Sequence, residues 1–421
     1  MSAGFKKRIL FLTPYYPPEI GAPQSRISEL AKKLKEAGRE VVVLCAFPNY
    51  PSGVIAKEYK NKFLIRQKIN GITVYRTYIY AAPNKGFFKR LITHLSFAVS
   101  SFFAFAKIKN EISADISIVE SPPLFMAFTA IAMKAVFGVP YIFNVADVWP
   151  DSAVELGMLK NKFLIGCAAF VEKAAYRFSS GVACVTRGIV DNIRGKNVEF
   201  NKVHFLPNGV DCNFFSHEKY ARGEYELQIK EFKEKFGINN KFTVLYSGTI
   251  GISQNLSFLI DIAAKVSSME NIHFLIVGDG AERTALEEKA AKSGLKNITF
   301  ERLIPKSMMP ALIASADACV VSLLDIAVFR GALPSKMYEY MAMKKPILMF
   351  AAGECVELLE RAQAGLACAP NDLNSAINNL KALAADKDMA ERMGENAFKF
   401  VSENFSRDVI CSKWEKVLDR L

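Results

Sequence analysis

The chain runs to 421 residues, of which 51% are apolar and 23% charged, with a formal net charge of +12. That is about three times the ~150 residues of an ordinary domain, so two domains are expected, and so much apolar surface excludes a disordered or fibrous chain. The longest weakly charged stretch, the 16 residues Leu91 to Ala106 with His94 inside it, falls short of the ~20 that cross a bilayer, which excludes a multi-span membrane protein.

The charge is unevenly placed. Up to Asn208 there are 28 Lys and Arg against 14 Asp and Glu, a net of +14, and the remainder nets −2. A basic first half implies an anionic partner, whether nucleic acid, phosphorylated metabolite or anionic lipid, or else serves solubility alone. No basic-aromatic recognition motif accompanies the charge, so nucleic acid is set aside. The eight cysteines form no CxxC and no Cys/His pair. That argues against a zinc site and a disulfide framework, and for a reducing cytoplasm.

In chain order, Lys6-Lys7-Arg8 leads into only four apolar residues, Ile9–Leu12, a buried first strand rather than a secretory leader. It ends in Thr13-Pro14-Tyr15-Tyr16-Pro17-Pro18-Glu19-Ile20-Gly21-Ala22-Pro23, before a helix over Ser25–Ala37. This loop is either structural or an anion site at a sheet mouth, with Gly21 at its centre. A strand over Val41–Cys45 follows. Gly86-Phe87-Phe88-Lys89-Arg90 then opens a helix-compatible run containing Phe97, Phe102, Phe103 and Phe105. Phe87, Phe88, Lys89 and Arg90 suit a membrane interface, whereas the later phenylalanines suit core packing. Strands are predicted at Ile116–Glu120, Tyr141–Val145, Val182–Val185 and Val203–Leu206, the last running into the turn Pro207-Asn208-Gly209. That turn is the best domain boundary.

Beyond it, strands are predicted at Thr243–Ser247, His273–Val277, Ile298–Phe300, Ala318–Val321, Pro346–Phe350 and Ala367–Ala369. Between them come helices at Asn255–Ser268, Glu282–Ser293 and Leu373–Leu383. Uniformly apolar strands alternating with helices are the pattern of doubly wound α/β domains with parallel sheets. We read residues 1–207 and 208–400 as two such domains, with residues 401–421 as a helix that packs back on the first.

Two strands of the second half end in glycine turns, Tyr246-Ser247-Gly248-Thr249 and Val277-Gly278-Asp279-Gly280. Glycine there permits the close backbone approach a diphosphate needs. The second turn half-matches GxGxxG, with Arg283 in the third glycine position and Glu301 downstream, so a dinucleotide oxidoreductase is an alternative. The most specific segment is Pro334-Ser335-Lys336-Met337-Tyr338-Glu339. A helix starting there offers first-turn N–H groups to a phosphate, with Lys336 beside it and Glu339 on the same face, suited to accept two ribose hydroxyls. A Lys–Glu surface pair is the plain alternative. The only Asp-x-Asp, Asp386-Lys387-Asp388, lies in a polar stretch, and no metal is expected.

These pieces together resemble glycosyltransferase family 4, of the GT-B fold, in the subgroup that builds O-antigen, colanic-acid and other capsule-type polysaccharides. YYPPEIGAPQSR, AFPNYPSG, DVWPDSAVELG, LPNGVD, YSGTIG, VGDGAER and PSKMYEYMAMKKPIL carry the likeness over nearly the whole chain. It implies two Rossmann-like domains facing a cleft and a retaining transfer. The UDP-sugar donor would sit against Gly248, Thr249, Gly278, Gly280, Ser335, Lys336 and Glu339, with Gly21 on the diphosphate side. It also implies a polyprenyl-diphosphate-linked glycan as acceptor, and a cytoplasmic enzyme peripheral on the inner face of the membrane. Three positions depart from the family pattern. Gly331 replaces the first of a paired-Glu motif. Thr249 and Gln254 stand where an Arg and a Lys meet the diphosphate in many members. Ala146 replaces the acceptor-side His. The resemblance then leaves Lys336 and Arg330 to balance the diphosphate and Asp147 as the acceptor-side polar group. A UDP-sugar epimerase of the same fold and a catalytically silent nucleotide-sugar-binding protein are the alternatives.

Overall fold

The structure, a computed structural model, describes residues 6–19, 21–50, 52–81 and 87–421, and of Ala22, Phe87 and Phe88 the backbone alone. The chain divides into two units, Met1–Asn208 with Arg407–Leu421, and Gly209–Ser406.

The first unit is built on β1 (Ile9–Thr13), β2 (Val41–Ala46), β3 (Leu64–Ile69), β4 (Ile72–Thr77), β5 (Ile116–Ser121), β6 (Tyr141–Val145), β7 (Gly181–Cys184) and β8 (Val203–Phe205), in the order β3-β4-β2-β1-β5-β6-β7-β8. Pairing is parallel except between β3 and β4. Every residue of β1, β2, β5, β6 and β7 is buried, because helices cover both faces and leave no room for a solvated side. The hairpin β3–β4 breaks the parallel pattern expected from the sequence. Its edge strand alternates partly buried residues with exposed Arg66 and Lys68. Its turn is Asn70-Gly71, both at positive φ, as tight hairpins require.

The helix Phe87–Ile112 covers one face of this sheet. Here the expectation of a stretch too short to cross a bilayer is corrected: Lys89–Ile112 is long and apolar enough by length and composition. The lysines at 107 and 109 fall inside the helix instead of ending it. Its inward row, Phe97, Ala104, Phe105, Ile108 and Ile112, is buried in the core. Phe103, expected in the core, is 56% exposed.

The last helix, Arg407–Arg420, closes the opposite face. Ile410, Trp414 and Leu418 share a core cluster with Ile27, Leu30 and Leu34 of the helix Ala22–Glu36. Arg407 reaches Glu29 at 2.7 Å and Lys33 reaches Asp408 at 2.8 Å.

The second unit holds β9 (Phe242–Thr249), β10 (Ile272–Asp279), β11 (Ile298–Glu301), β12 (Ala318–Ser322), β13 (Ile347–Phe350) and β14 (Gly365–Cys368), all parallel, ordered β11-β10-β9-β12-β13-β14. Counted within the unit this is 3-2-1-4-5-6, the doubly wound order, in which ligands bind outside the carboxyl ends of the strands near the reversal. The reversal lies at β9, whose carboxyl end carries Gly248.

Candidate functional site

At the carboxyl ends of β9 and β10, Gly248 pairs with Gly278 and Thr249 with Asp279. The two strand ends press together: a Cβ on Gly278 would stand 1.8 Å from the Gly248 carbonyl oxygen, and one on Gly280 2.1 Å from that of Ile250. Only glycine fits there. The turn is fastened by the Ile250 N–H donating to the Asp279 carbonyl (2.9 Å) and the Gly251 N–H donating to Gln254 Oε1 (3.1 Å). Gln254, one of the departures from the family pattern, therefore holds backbone.

The helix Ser335–Ala342 follows Pro334 and has no side-chain cap at its start, so its first-turn N–H groups are unclaimed by a capping side chain. Buried Tyr340 fixes it against β9. The Ser247 N–H donates to Tyr340 Oη at 3.0 Å, and Ser247 Oγ lies 3.0 Å from the same oxygen. One turn earlier, Lys336 Nζ rests 3.7 Å from the centroid of the Tyr246 ring. It is so close to Gly248 (φ +131°) that a Cβ there would lie 2.9 Å from it. Burial pulls the Lys336 ammonium down from its ordinary 10.5 to about 7, and the Glu339 carboxylate on the next turn opposes the shift. A lysine poised in this way gains its charge when an anion arrives. Tyr246 and Tyr340, which floor and buttress this lysine, were not singled out from the sequence. Their signals were there, Tyr246 two residues before Gly248 and Tyr340 at i+4 from Lys336.

The other expected donor-side residues sit less tightly. Thr249 and Ser335 are exposed. Thr249 accepts the Tyr246 hydroxyl on its carbonyl at 2.5 Å. Arg330 is exposed, with its Nε on Asp325 at 3.0 Å. The half-match to GxGxxG is explained otherwise. Arg283 binds the carbonyls of Gly278 and Glu301, tying the ends of β10 and β11 together. The Glu301 carboxylate is held below its usual range by Lys235, 2.5 Å away. Asp386 accepts the Met389 N–H at 2.8 Å, capping the helix Lys387–Phe405. Among the described residues no group of three His, Cys, Asp or Glu side chains gathers to hold a metal ion.

In the first unit, Gly21 (φ +151°) caps the helix Ala22–Glu36. The loop before it is held by buried Glu19, which accepts N–H bonds from Asn49 (2.8 Å), Tyr50 (2.9 Å) and Tyr16 (3.3 Å). Burial raises the Glu19 carboxyl despite those bonds. Fully buried Arg76 binds the carbonyls of Pro17 and Ala46 from beneath. Neither role was legible from residue types. Asp147, just past β6, is part-buried and accepts Ser152 Oγ at 3.0 Å, and burial raises its carboxyl above the usual range. Lys89 and Arg90 are exposed, and the side chains of Phe87 and Phe88 lie outside the described residues.

Two family models divide the chain between them: "Glycosyl transferase 4-like domain" matches residues 21–209 and "Glycosyl transferases group 1" residues 228–400. WcaI of Escherichia coli, assigned as a colanic acid biosynthesis glycosyl transferase, is 27% identical over 340 residues, 80% of this chain and 81% of its own. Among solved structures, sucrose-phosphate synthase of Thermosynechococcus elongatus superposes with a TM-score of 0.75 at 16% identity, covering 98% of this chain and 99% of that one. HepE of Anabaena in complex with UDP-glucose superposes with a TM-score of 0.72 at 16% identity, covering 99% and 100%. With one family model on each half of the chain and a largely parallel α/β sheet in each unit, the chain belongs to glycosyltransferase family 4 and has the GT-B fold.

Proposed function

We propose that the enzyme moves a sugar from a nucleoside-diphosphate donor, UDP-linked, to a lipid-linked or growing glycan in cell-surface polysaccharide synthesis. It works without a metal, with retention at the sugar, on the cytoplasmic face of the membrane. The observation that carries this reading is the seat of Lys336, between the Tyr246 ring and Gly248, with Glu339 one turn along the same helix face. A diphosphate beside Gly248 would meet backbone N–H groups, the start of a helix and an ammonium that takes up its proton there. As the glycosidic bond breaks, its electron pair passes to the β-phosphate, and Lys336 supplies charge where that negative charge grows. In this reading Glu339 accepts the ribose hydroxyls. The assignment of WcaI to colanic acid biosynthesis and the UDP-glucose held by HepE support the substrate classes. Retention is carried over from the family, as is the acceptor-side role of Asp147.

The test is Glu339→Ala. Loss of two charge-assisted bonds to the ribose, partly offset by water, should cost ~2–4 kcal/mol of UDP binding by calorimetry while the fold survives. Unchanged UDP affinity removes Glu339 from the site. A free epimerised sugar formed with no acceptor present would mark the epimerase instead, and donor binding without turnover the silent binder.

A further inference from the structure

In the first unit a cavity of about 150 Å³ opens at the carboxyl ends of β5 and β6, lined by Arg90, His94, Leu124, Phe125, Trp149 and Met158 among others. It lies on the ligand side of a parallel sheet, and its wall residue Ala153 adjoins Ser152, the partner of Asp147. The lining is unsuited to a sugar. Among the described residues its polar side chains are Arg90, His94 and the Trp149 indole, the rest being proline, aliphatic, aromatic and methionine. Burial, aided by Arg90, pulls the His94 imidazole down to about 4, and its Nδ1 is buried without a hydrogen-bond partner. Among the described lining residues the one charge at neutral pH is therefore Arg90, which is exposed and has no carboxylate of the described residues within ion-pair distance. The apolar surface also continues outward. Phe125 stacks on Phe128 with centroids 6.1 Å apart, and Phe128 and Met158 are 46% and 58% exposed. An apolar cavity with one cation at its edge and an apolar track leading away fits an amphiphile longer than the cavity.

We infer that this cavity seats the apolar chain of a lipid whose head is an anionic phosphate or diphosphate, with Arg90 meeting the phosphate. The inference rests on the proposed lipid-linked acceptor and gives its chain a place. A soluble sugar acceptor would leave this surface unused.

Trp149 supplies the readout. The chain has two tryptophans, and Trp414 is buried in the core cluster beneath the helix Arg407–Arg420, so a ligand-dependent change in emission reports Trp149. Titration of the full-length protein with farnesyl diphosphate should give a saturable blue shift, with farnesol or inorganic diphosphate binding at least tenfold more weakly. Arg90→Gln, an exposed change that does not threaten the fold, should weaken farnesyl diphosphate at least tenfold and leave farnesol unaffected. Ala153→Phe, which fills the cavity, should abolish the shift in protein whose melting temperature is retained. Dodecyl phosphate set against farnesyl monophosphate, the same head on two chains, distinguishes the source of the lipid. Tighter binding of dodecyl phosphate assigns a straight chain, weaker binding an isoprenoid, and both support the site. Absence of a saturable shift, equal response to farnesol, or an unaltered response in Arg90→Gln overturns the inference. Because none of these titrations contains a nucleotide, failure here with UDP binding intact leaves the donor reading standing, and loss of UDP binding in Glu339→Ala says nothing against this site.

Discussion

Below about pH 7 the Lys336 ammonium lies charged against the Tyr246 ring, with Glu339 to offset the hydration it has lost. The unfolded chain keeps this lysine protonated up to its ordinary 10.5, the folded chain only to about 7. Between those values the unfolded state holds more protons, so stability rises with pH across that window, and below about 7 the full cost is present. Lys336→Met should therefore melt higher than wild type at pH 6, by about 2–4 °C for each kcal/mol recovered, and the difference should shrink by pH 10. Ligand binding reverses the sign. A diphosphate favours the charged form, so UDP binding at pH 8 should draw a proton onto Lys336, and affinity should fall as pH rises above about 7. Calorimetry in HEPES and in Tris would show this as a buffer-dependent enthalpy that Lys336→Met abolishes. A buffer-independent enthalpy in wild type would place the diphosphate elsewhere.

The strand ends set what the site tolerates. A methyl on Gly278 meets the Gly248 carbonyl, part of a paired backbone with nowhere to go. Gly278→Ala should cost upwards of ~2 kcal/mol in urea unfolding and impair UDP binding. Gly294→Ala, left-handed (φ +63°) but with open space around its Cβ position, should cost about 1–2 kcal/mol and spare UDP. At this scale the sequence was informative where burial dictated composition. Runs such as Ile9–Leu12 and Val41–Cys45 are apolar because both faces are covered, and they announce themselves as parallel strands. The hairpin β3–β4 escaped for the converse reason. Arg66, Gln67 and Lys68 dilute its edge strand below any apolar-run criterion, although Asn70-Gly71 marks the turn. Glu19, Arg76 and Tyr340 were missed as site-builders because their partners, backbone groups of Asn49, Tyr50, Pro17 and Ser247, are distant in sequence. Lys336 and Glu339 could be read because i and i+3 on a helix are neighbours whatever the tertiary fold.

Taken whole, the two units differ in charge as the halves of the sequence do. With Arg407–Leu421 included, the first unit nets +15 and the second −3. On the first unit the helix Phe87–Ile112 exposes Ile92, Val99 and Phe103, and the helix Lys162–Phe178 exposes Phe163 and Phe170, each set on one helical face. Lysines flank both rows. An anionic leaflet attracts each nearby cation by about 1 kcal/mol, fading within ~8 Å at physiological salt. We expect the protein to sediment with phosphatidylserine-containing vesicles at low salt and to be released by high salt. Phe163→Ser with Phe170→Ser should weaken sedimentation while UDP affinity is retained. Indifference of wild type to anionic vesicles would leave the positive charge to the acceptor's phosphates or to solubility.

The placement of the helix Arg407–Arg420 in the first unit has a consequence in time. At ~5–20 residues per second, a ribosome needs roughly 10–40 s to add the ~200 residues between Asn208 and this helix. Through that interval the nascent first unit has its sheet but not the cover for Ile27, Leu30 and Leu34, and it waits with that apolar face open. The second unit, wholly contained in the interval, can complete itself first. Synthesis therefore runs from the amino end, but the first unit is closed last.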